Sequence, residues 1–245
     1  MEIIETKSFK LASFSKGDKN SSKLAILLPG RLDTKDYINF ISHANLLSNH
    51  GYYVLAIDPP GTWQSPGSIE LFTTTNYIRA INELIDYFGN RPTLLLGHSR
   101  GAATAILVSD NPSVLGVIAI MANFGSPTNP KRDSLKKGFE QTYRDMPPGN
   151  IKSKDQMEFA LPIAYWEDGK HYDVKNSLIH CAKPKLIIYG TNDKFTPTQE
   201  VEELYKIIPQ PKMLKKIYSV HDYRYSVKAI KEIEGDINQF LKKYL

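Results

Sequence analysis

The sequence predicts an α/β fold in which a mostly parallel, doubly wound sheet is flanked by helices. Several short runs are apolar at every position rather than at alternate positions, a pattern typical of strands that are buried on both faces. Helix-length amphipathic stretches separate most of these runs, as expected when right-handed crossovers join parallel strands. The 245 residues suffice for a core of this kind without disulfides or metal ions.

Five strands are predicted from the continuous apolar runs. They cover residues 24–30, 53–61, 93–97, 114–121 and 185–190. A sixth strand is predicted over residues 215–220, nearer an edge of the sheet.

Helices are predicted where apolar residues recur at helical spacing between these strands. One precedes Gly51 and a second precedes Gly89, and a glycine at that place commonly ends a helix. Small residues after the third strand predict a helix that packs closely on the sheet. Thr196 and Pro197 predict the start of another, as its cap and first position, and an apolar stripe over residues 227–244 predicts the last.

Residues 122–180 interrupt this alternation. These 59 residues contain no convincing parallel strand, and helix-like stretches occur near residues 135–143 and 155–166. The segment is too long for a simple connection. It therefore predicts an inserted helical cap, or lid, over one end of a core formed by residues 1–121 and 181–245.

Composition excludes several classes of protein. The net charge is +5, but the lysines are scattered and lack the aromatic-basic pattern of nucleic-acid binding. Cys181 is the only cysteine, which excludes a disulfide within the chain. The N-terminal segment lacks the apolar region of a signal peptide, and the longest apolar runs are too short to span a membrane. We therefore expect a cytoplasmic protein.

The pentapeptide Gly97-His98-Ser99-Arg100-Gly101 joins a predicted strand to a predicted helix. Its G-x-S-x-G pattern is typical of a nucleophile elbow, a sharp turn that exposes a serine hydroxyl and needs small neighbours. The alternative is a glycine-rich turn that contains a serine by chance. A serine hydroxyl is a weak nucleophile until a base removes its proton, so the first interpretation requires a base elsewhere in the chain.

His221 and Asp193 are the candidate base and acid. Of the six histidines, His221 follows the last predicted strand and precedes the last helix, whereas His98 is too close to Ser99 to serve it. Asp193 comes directly after the preceding strand, although Asn-Asp also favours turns. Asp222 is adjacent to His221 and poorly placed to reach its ring. The sequence therefore predicts a triad of Ser99, Asp193 and His221.

These segments resemble the α/β-hydrolase superfamily over essentially the whole chain, and most closely its esterase, monoacylglycerol-lipase and serine-aminopeptidase-like group. Residues 24–37 resemble the strand and loop that usually read His-Gly-x, with Pro29 in place of the histidine. Residues 58–65 are similar to the Asp-x-x-Gly-x-Gly-x-Ser segment, with Trp63 in place of the second glycine. Residues 182–197 resemble the segment that carries the acid.

The resemblance implies an oxyanion hole made of two backbone N–H groups. One belongs to Arg100, which follows the candidate nucleophile. The other belongs to Arg31, although the departure at Pro29 leaves the choice between Arg31 and Leu32 open. The two arginine side chains are either structural or substrate-binding.

The predicted function is that of a serine hydrolase that cleaves an acyl bond in a small molecule, with a small to medium carboxylic ester as the substrate and no cofactor. Serine in place of aspartate argues against dehalogenase and epoxide-hydrolase chemistry. Serine aminopeptidase, amidase, thioesterase and carbon–carbon bond hydrolase chemistry use the same triad, and a non-catalytic small-molecule binder is a further alternative. An aminopeptidase would need acidic groups to hold a free amine, and six acids in the insertion are candidates: Glu140, Asp145, Glu158, Glu167, Asp168 and Asp173.

Overall fold

The structure is a computed structural model and describes residues 1–125 and 129–245. Within these ranges the strands are β1 (Glu2–Glu5), β2 (Lys10–Lys16), β3 (Leu24–Leu28), β4 (Tyr53–Ile57), β5 (Thr93–His98), β6 (Val114–Ile120), β7 (Phe139–Asp145), β8 (Gln156–Pro162), β9 (Lys185–Gly190) and β10 (Lys212–Ile217). The helices are α1 (Ile38–Asn49), α2 (Thr74–Tyr87), α3 (Arg100–Leu107), α4 (Arg132–Lys137), α5 (Ala164–Gly169), α6 (Val174–His180), α7 (Thr198–Ile207) and α8 (Val227–Tyr244).

The main sheet has the strand order β1-β2-β4-β3-β5-β6-β9-β10. The six strands from β4 to β10 in this order pair in parallel, which confirms the predicted mostly parallel sheet. The sixth of them, β10, starts three residues before the predicted range and lies at the edge. Strands β1 and β2 add an antiparallel ribbon at the opposite edge and are not predicted.

Helices cover both faces of the sheet. Alternate residues of each strand enter two separate apolar layers, so that Ile26 packs with α2 and α3 whereas Leu27 packs with α1 and α8. Because both faces are covered, every residue of β3, β4 and β5 is buried. This is the physical origin of the continuous apolar runs in the sequence.

Helix α7 begins later than the sequence predicts. Its first residue is Thr198, and Pro197 occupies the position just before it. Thr196 does not cap the helix, because its hydroxyl donates to the backbone oxygen of Ala122.

The insertion contains three helices, α4, α5 and α6, but the helix-like stretches predicted near residues 135–143 and 155–166 are largely strands. Residues 139–145 and 156–162 form an antiparallel hairpin, β7–β8, and helices α4 and α5 flank it. The physical reason is a two-residue period: Met157, Phe159 and Leu161 lie on one face of β8 and pack into an apolar cluster that includes Trp166. Side chains that alternate in this way suit a strand rather than a helix.

Trp63 joins this cap cluster to the core. Its φ is 48°, so the tryptophan adopts the positive φ that the glycine of the resembled segment would favour. The indole N–H donates to the backbone oxygen of Leu32 at 2.9 Å, and the ring packs edge-on against Phe159. Among the described residues, no helix combines the length and apolar character needed to cross a membrane.

Candidate active site

Ser99 lies in a tight turn between β5 and α3, where its backbone has a φ of 53° and a ψ of −117°. A positive φ is uncommon and strained for a residue other than glycine. The flanking glycines allow this turn: an added Cβ at Gly97 would lie 2.3 Å from the carbonyl carbon of Gly101. An added Cβ at Gly101 would lie 2.0 Å from the carbonyl oxygen of Leu28.

The side chains of Ser99, His221 and Asp193 form a hydrogen-bonded chain. His221 Nε2 lies 2.8 Å from Ser99 Oγ, and His221 Nδ1 lies 2.8 Å from Asp193 Oδ2. Asp193 follows β9 and His221 follows β10, so parallel strands deliver both to the edge of the sheet where β5 delivers Ser99. The structure thus brings together the three residues that the sequence predicts.

The buried position of Asp193 would by itself raise the pKa of this carboxyl. The hydrogen bond and charge of His221, together with the backbone N–H groups of Phe195 and Thr196, outweigh burial and lower the pKa of Asp193 below its ordinary value. A carboxylate at this place holds the imidazole with a proton on Nδ1. Nε2 is then free to accept a proton from Ser99.

Two further side chains that line the cavity, His98 and Asp33, extend the hydrogen-bonded network from His221. His98 Nε2 donates to the backbone oxygen of His221 at 3.0 Å, and His98 Nδ1 lies 3.4 Å from Asp33 Oδ2. Burial would raise the pKa of Asp33, but the hydrogen bond from His98 and the charges of Arg144, His98 and Arg224 hold it well below the ordinary value. The sequence patterns do not identify this pair. The signal that points to it is the position of Asp33 in the loop after β3, at the edge of the sheet that carries Ser99.

The candidate oxyanion residues Arg31 and Arg100 both line the cavity beside Ser99. Gly30 lets the loop after β3 approach the serine, because a Cβ at Gly30 would lie 3.2 Å from Ser99 Cβ. The backbone N–H groups of Arg31 and Arg100 donate to no acceptor within the described residues. The backbone N–H group of Leu32 likewise donates to no acceptor within the described residues, so both alternatives for the second donor have a free N–H group.

The cavity measures about 820 Å³, including the open space at its mouth. The cap supplies part of its wall, with Arg144 from β7 and Tyr165 and Trp166 from α5. Phe195 also lines the cavity, with its ring centroid 4.8 Å from that of His221. The candidate nucleophile therefore lies in a cleft between the sheet and the insertion.

The acids that an aminopeptidase would need do not line this cavity. None of the six candidate acids of the insertion is among its described lining residues. Asp145 pairs with Arg224, Asp173 accepts from the first turn of α6, and Glu140 accepts from the backbone of Lys131. The structure therefore offers no support for a site that holds a free amine.

Two adjacent residues of β7 connect the insertion to the loops of the site. Arg144 donates twice to the backbone oxygen of Arg31, at 2.9 and 2.6 Å. Asp145 accepts from Arg224 at 2.7 Å, and Arg224 also binds Asp222, next to His221, at 2.9 Å. The insertion is thus tied both to the candidate oxyanion loop and to the loop of the candidate base.

Comparison with known proteins finds matches to one family model and to solved structures. A family model described as the alpha/beta hydrolase fold matches residues 25–164. In three dimensions the chain is similar to the esterase Est1E from Butyrivibrio proteoclasticus in its ferulic-acid-bound form, with a TM-score of 0.78, 18% identity, and coverage of 100% of this chain and 99% of that one.

Two curated relatives are similar in sequence. A 2-hydroxy-6-oxononadienedioate/2-hydroxy-6-oxononatrienedioate hydrolase from a Pseudomonas species is 23% identical, over 65% of this chain and 67% of the relative. The lysophosphatidylserine lipase ABHD12 of Danio rerio is 24% identical, over 82% of this chain and 51% of the relative. The chain thus spans about two thirds of the first relative and about half of the second.

Proposed function

Because this chain belongs to the α/β-hydrolase family, we propose that it is a serine hydrolase that cleaves a small to medium carboxylic ester. Ser99 is the nucleophile, His221 the general base and Asp193 the residue that orients the base. The observation that carries the proposal is the pair of 2.8 Å contacts that link the three side chains in this order.

The proposed reaction has two halves. His221 Nε2 accepts the hydroxyl proton while Ser99 Oγ attacks the ester carbonyl, and the charge that develops on the carbonyl oxygen is stabilised by the N–H groups of Arg31 and Arg100, by about 3 kcal/mol each. His221 then protonates the leaving alcohol, which leaves an acyl group on Ser99. A water molecule repeats the attack with His221 as base, and the acid is released.

An ester is the preferred acyl substrate for two reasons. The cavity contains no unpaired carboxylate, within the described chain, that would recognise a free amino terminus. Several similar proteins are named as esterases, lipases or other hydrolases, although their low identity carries the fold and not the substrate. Amides and thioesters belong in the same test panel because the triad serves all three.

A fluorophosphonate probe tests the nucleophile. We expect labelling of the native chain and of Ser48→Ala, a control on α1, but none of Ser99→Ala. We also expect turnover of para-nitrophenyl esters and not of aminoacyl para-nitroanilides, and this turnover should disappear in Ser99→Ala. Labelling that persists in Ser99→Ala would remove the serine from the mechanism.

A further inference from the structure

The charges that line the cavity are not balanced. Each of its two aspartates already has an arginine partner: Asp33 lies 3.6 Å from Arg144 Nε, and Asp222 lies 2.9 Å from Arg224 Nη1. Two cations of the lining remain, Arg31 and Arg100, and within the described chain neither guanidinium group has a carboxylate within ion-pair distance. Residues 126–128 read Ser-Pro-Thr and add no carboxylate.

The guanidinium of Arg100 is the less satisfied of the two. Its Nη2 is shielded from solvent and has no hydrogen-bond partner within residues 1–125 and 129–245. The group lies 5.7 Å from the ring centroid of Tyr165, and such a contact engages the face of the guanidinium rather than its N–H donors. A buried charged donor without an acceptor is costly. Because Arg100 lines the cavity, an acceptor that the substrate brings to this guanidinium would relieve that cost.

We propose that Arg31 and Arg100 bind a carboxylate of the substrate, so that the enzyme acts on anionic esters. This inference rests on the proposed function, since it names the substrate class of the same cavity. The planar guanidinium fork matches a carboxylate and donates to it in pairs.

The position of the two arginines limits the length of the substrate. Their backbone N–H groups are the candidate oxyanion donors, so their side chains start beside the scissile carbonyl. The carboxylate therefore lies a short spacer away from the ester. Half-esters of short dicarboxylic acids, and short esters of hydroxy acids, fit this description.

Matched pairs of charged and neutral esters test the selectivity. Mono-para-nitrophenyl glutarate against para-nitrophenyl valerate places the charge on the acyl side, and para-acetoxybenzoate against para-acetoxybenzamide places it on the alcohol side. We expect kcat/KM for the charged member of at least one pair to exceed that of its neutral partner by about tenfold or more, as hydrogen bonds to a charged group allow. The preference should decline as salt is added.

Side-chain substitution assigns the preference to the two arginines. Arg31→Met and Arg100→Met keep the backbone N–H groups, and each should lower the charged-to-neutral ratio by about tenfold. Arg31→Lys and Arg100→Lys should restore part of the ratio because the charge returns without the planar fork. Arg79→Met removes an exposed charge from α2, outside the cavity, and should leave the ratio unchanged.

Binding to Ser99→Ala separates this inference from the proposed function. In calorimetry the unreactive variant should bind the charged ester of the preferred pair about tenfold tighter than the neutral one. Equal binding, or a preference that survives both methionine substitutions, would overturn the inference while leaving the triad intact. Hydrolysis of both esters by Ser99→Ala would instead overturn the proposed function, and the binding comparison would still decide the anion preference.

Discussion

Ser99 has a backbone conformation that its neighbours permit and its own side chain disfavours. The positive φ of 53° turns its hydroxyl out at the end of β5. Gly97 and Gly101 contact the surrounding backbone so closely that neither site has room for a methyl group. The two glycines are therefore a steric requirement of the turn and not a preference for flexibility.

Gly101→Ala tests this requirement. The new methyl group would lie 2.0 Å from the Leu28 carbonyl oxygen, so the turn must shift, and we expect a loss of about 2 kcal/mol or more in the free energy of unfolding. Ester hydrolysis should fall by about a hundredfold, because small displacements of a nucleophile are costly.

Gly235→Ala is the matched control for that substitution. Gly235 lies within α8 with no atom near its added Cβ, and alanine there should raise the free energy of unfolding by about 0.5–1 kcal/mol. For both variants, urea denaturation measures the free energy of unfolding and a para-nitrophenyl ester assay measures turnover. Full activity in Gly101→Ala would contradict the steric account of the elbow.

The predictable residues of the site are those that follow strands. Asp193 and His221 could be placed from sequence because each comes after an apolar run whose end lies at the edge that carries Ser99. The pairs Asp33–His98 and Asp145–Arg224 could not, because each joins residues far apart in the chain whose contact depends on the packed fold. Local pattern carries no information about such pairings.

At the scale of elements, β7 connects the insertion to two loops at once. Consecutive strand residues point to opposite faces, so Arg144 reaches the backbone of Arg31 while Asp145 reaches Arg224. Arg224 also donates to the backbone oxygen of Gly149 in the turn after β7. The position of the cap is therefore coupled to the loop that carries His221.

Asp145→Asn tests this coupling. Burial would raise the pKa of Asp145, but hydrogen bonds from Tyr225, Gln156, the backbone of Ser153 and Arg224 hold it well below the ordinary value, so the native group is a carboxylate. The amide cannot pair with Arg224 as an ion. We expect faster hydrogen exchange across residues 139–162, since breaking a buried ion pair by removing one charge costs about 3 kcal/mol or more. Ester kcat/KM should also fall by about tenfold, because Arg224 holds Asp222, next to His221.

Glu158→Gln is the control on the neighbouring strand. Glu158 is exposed on β8, so its substitution should change neither exchange nor turnover. If Asp145→Asn accelerates exchange in the hairpin but leaves turnover intact, the cap is not coupled to the reaction.

The same hairpin shows why the sequence predicts helices where β7 and β8 lie. The larger apolar residues of β8 alternate with the exposed Glu158 and Ala160, but the run is short and alanine is itself apolar, so the alternation does not stand out against helical spacing. The β1–β2 ribbon likewise consists of short strands with exposed ends. The buried parallel strands were predictable because two covered faces impose continuous apolarity, and edge strands lack that constraint.

At the scale of the whole molecule, a buried polar cluster joins the α1 and α8 layer to the loop after His221. His43 of α1 lies 2.9 Å from the hydroxyl of Tyr223 through Nε2, and its Nδ1 lies 3.9 Å from Glu234 of α8. Tyr223 also contacts the ring of His98, with centroids 5.2 Å apart. His43 is therefore enclosed between α1, α8 and the loop after His221, where a charge on its ring would have no access to water.

Burial lowers the pKa of His43 to about 4 from an ordinary value of 6.5, although the charge of Glu234 opposes the shift. The unfolded chain consequently binds more protons than the folded one between these two values, so the free energy of unfolding falls as the pH falls through this window. The slope is about 1.4 kcal/mol per pH unit at most, and the total is up to about 3 kcal/mol. Above pH 6.5 this contribution to stability is fully present.

Urea denaturation of the native chain and of His43→Gln at several pH values tests this account of acid sensitivity. The native chain should lose stability from pH 6.5 toward pH 4, and His43→Gln, which has no group to protonate, should show a flatter dependence despite lower stability at neutral pH. Below this window both proteins should lose stability in parallel, because the lowered pKa values of Asp33, Asp145 and Asp193 are shared. Equal slopes for the two proteins between pH 6.5 and pH 4 would show that His43 does not control the acid stability of the fold.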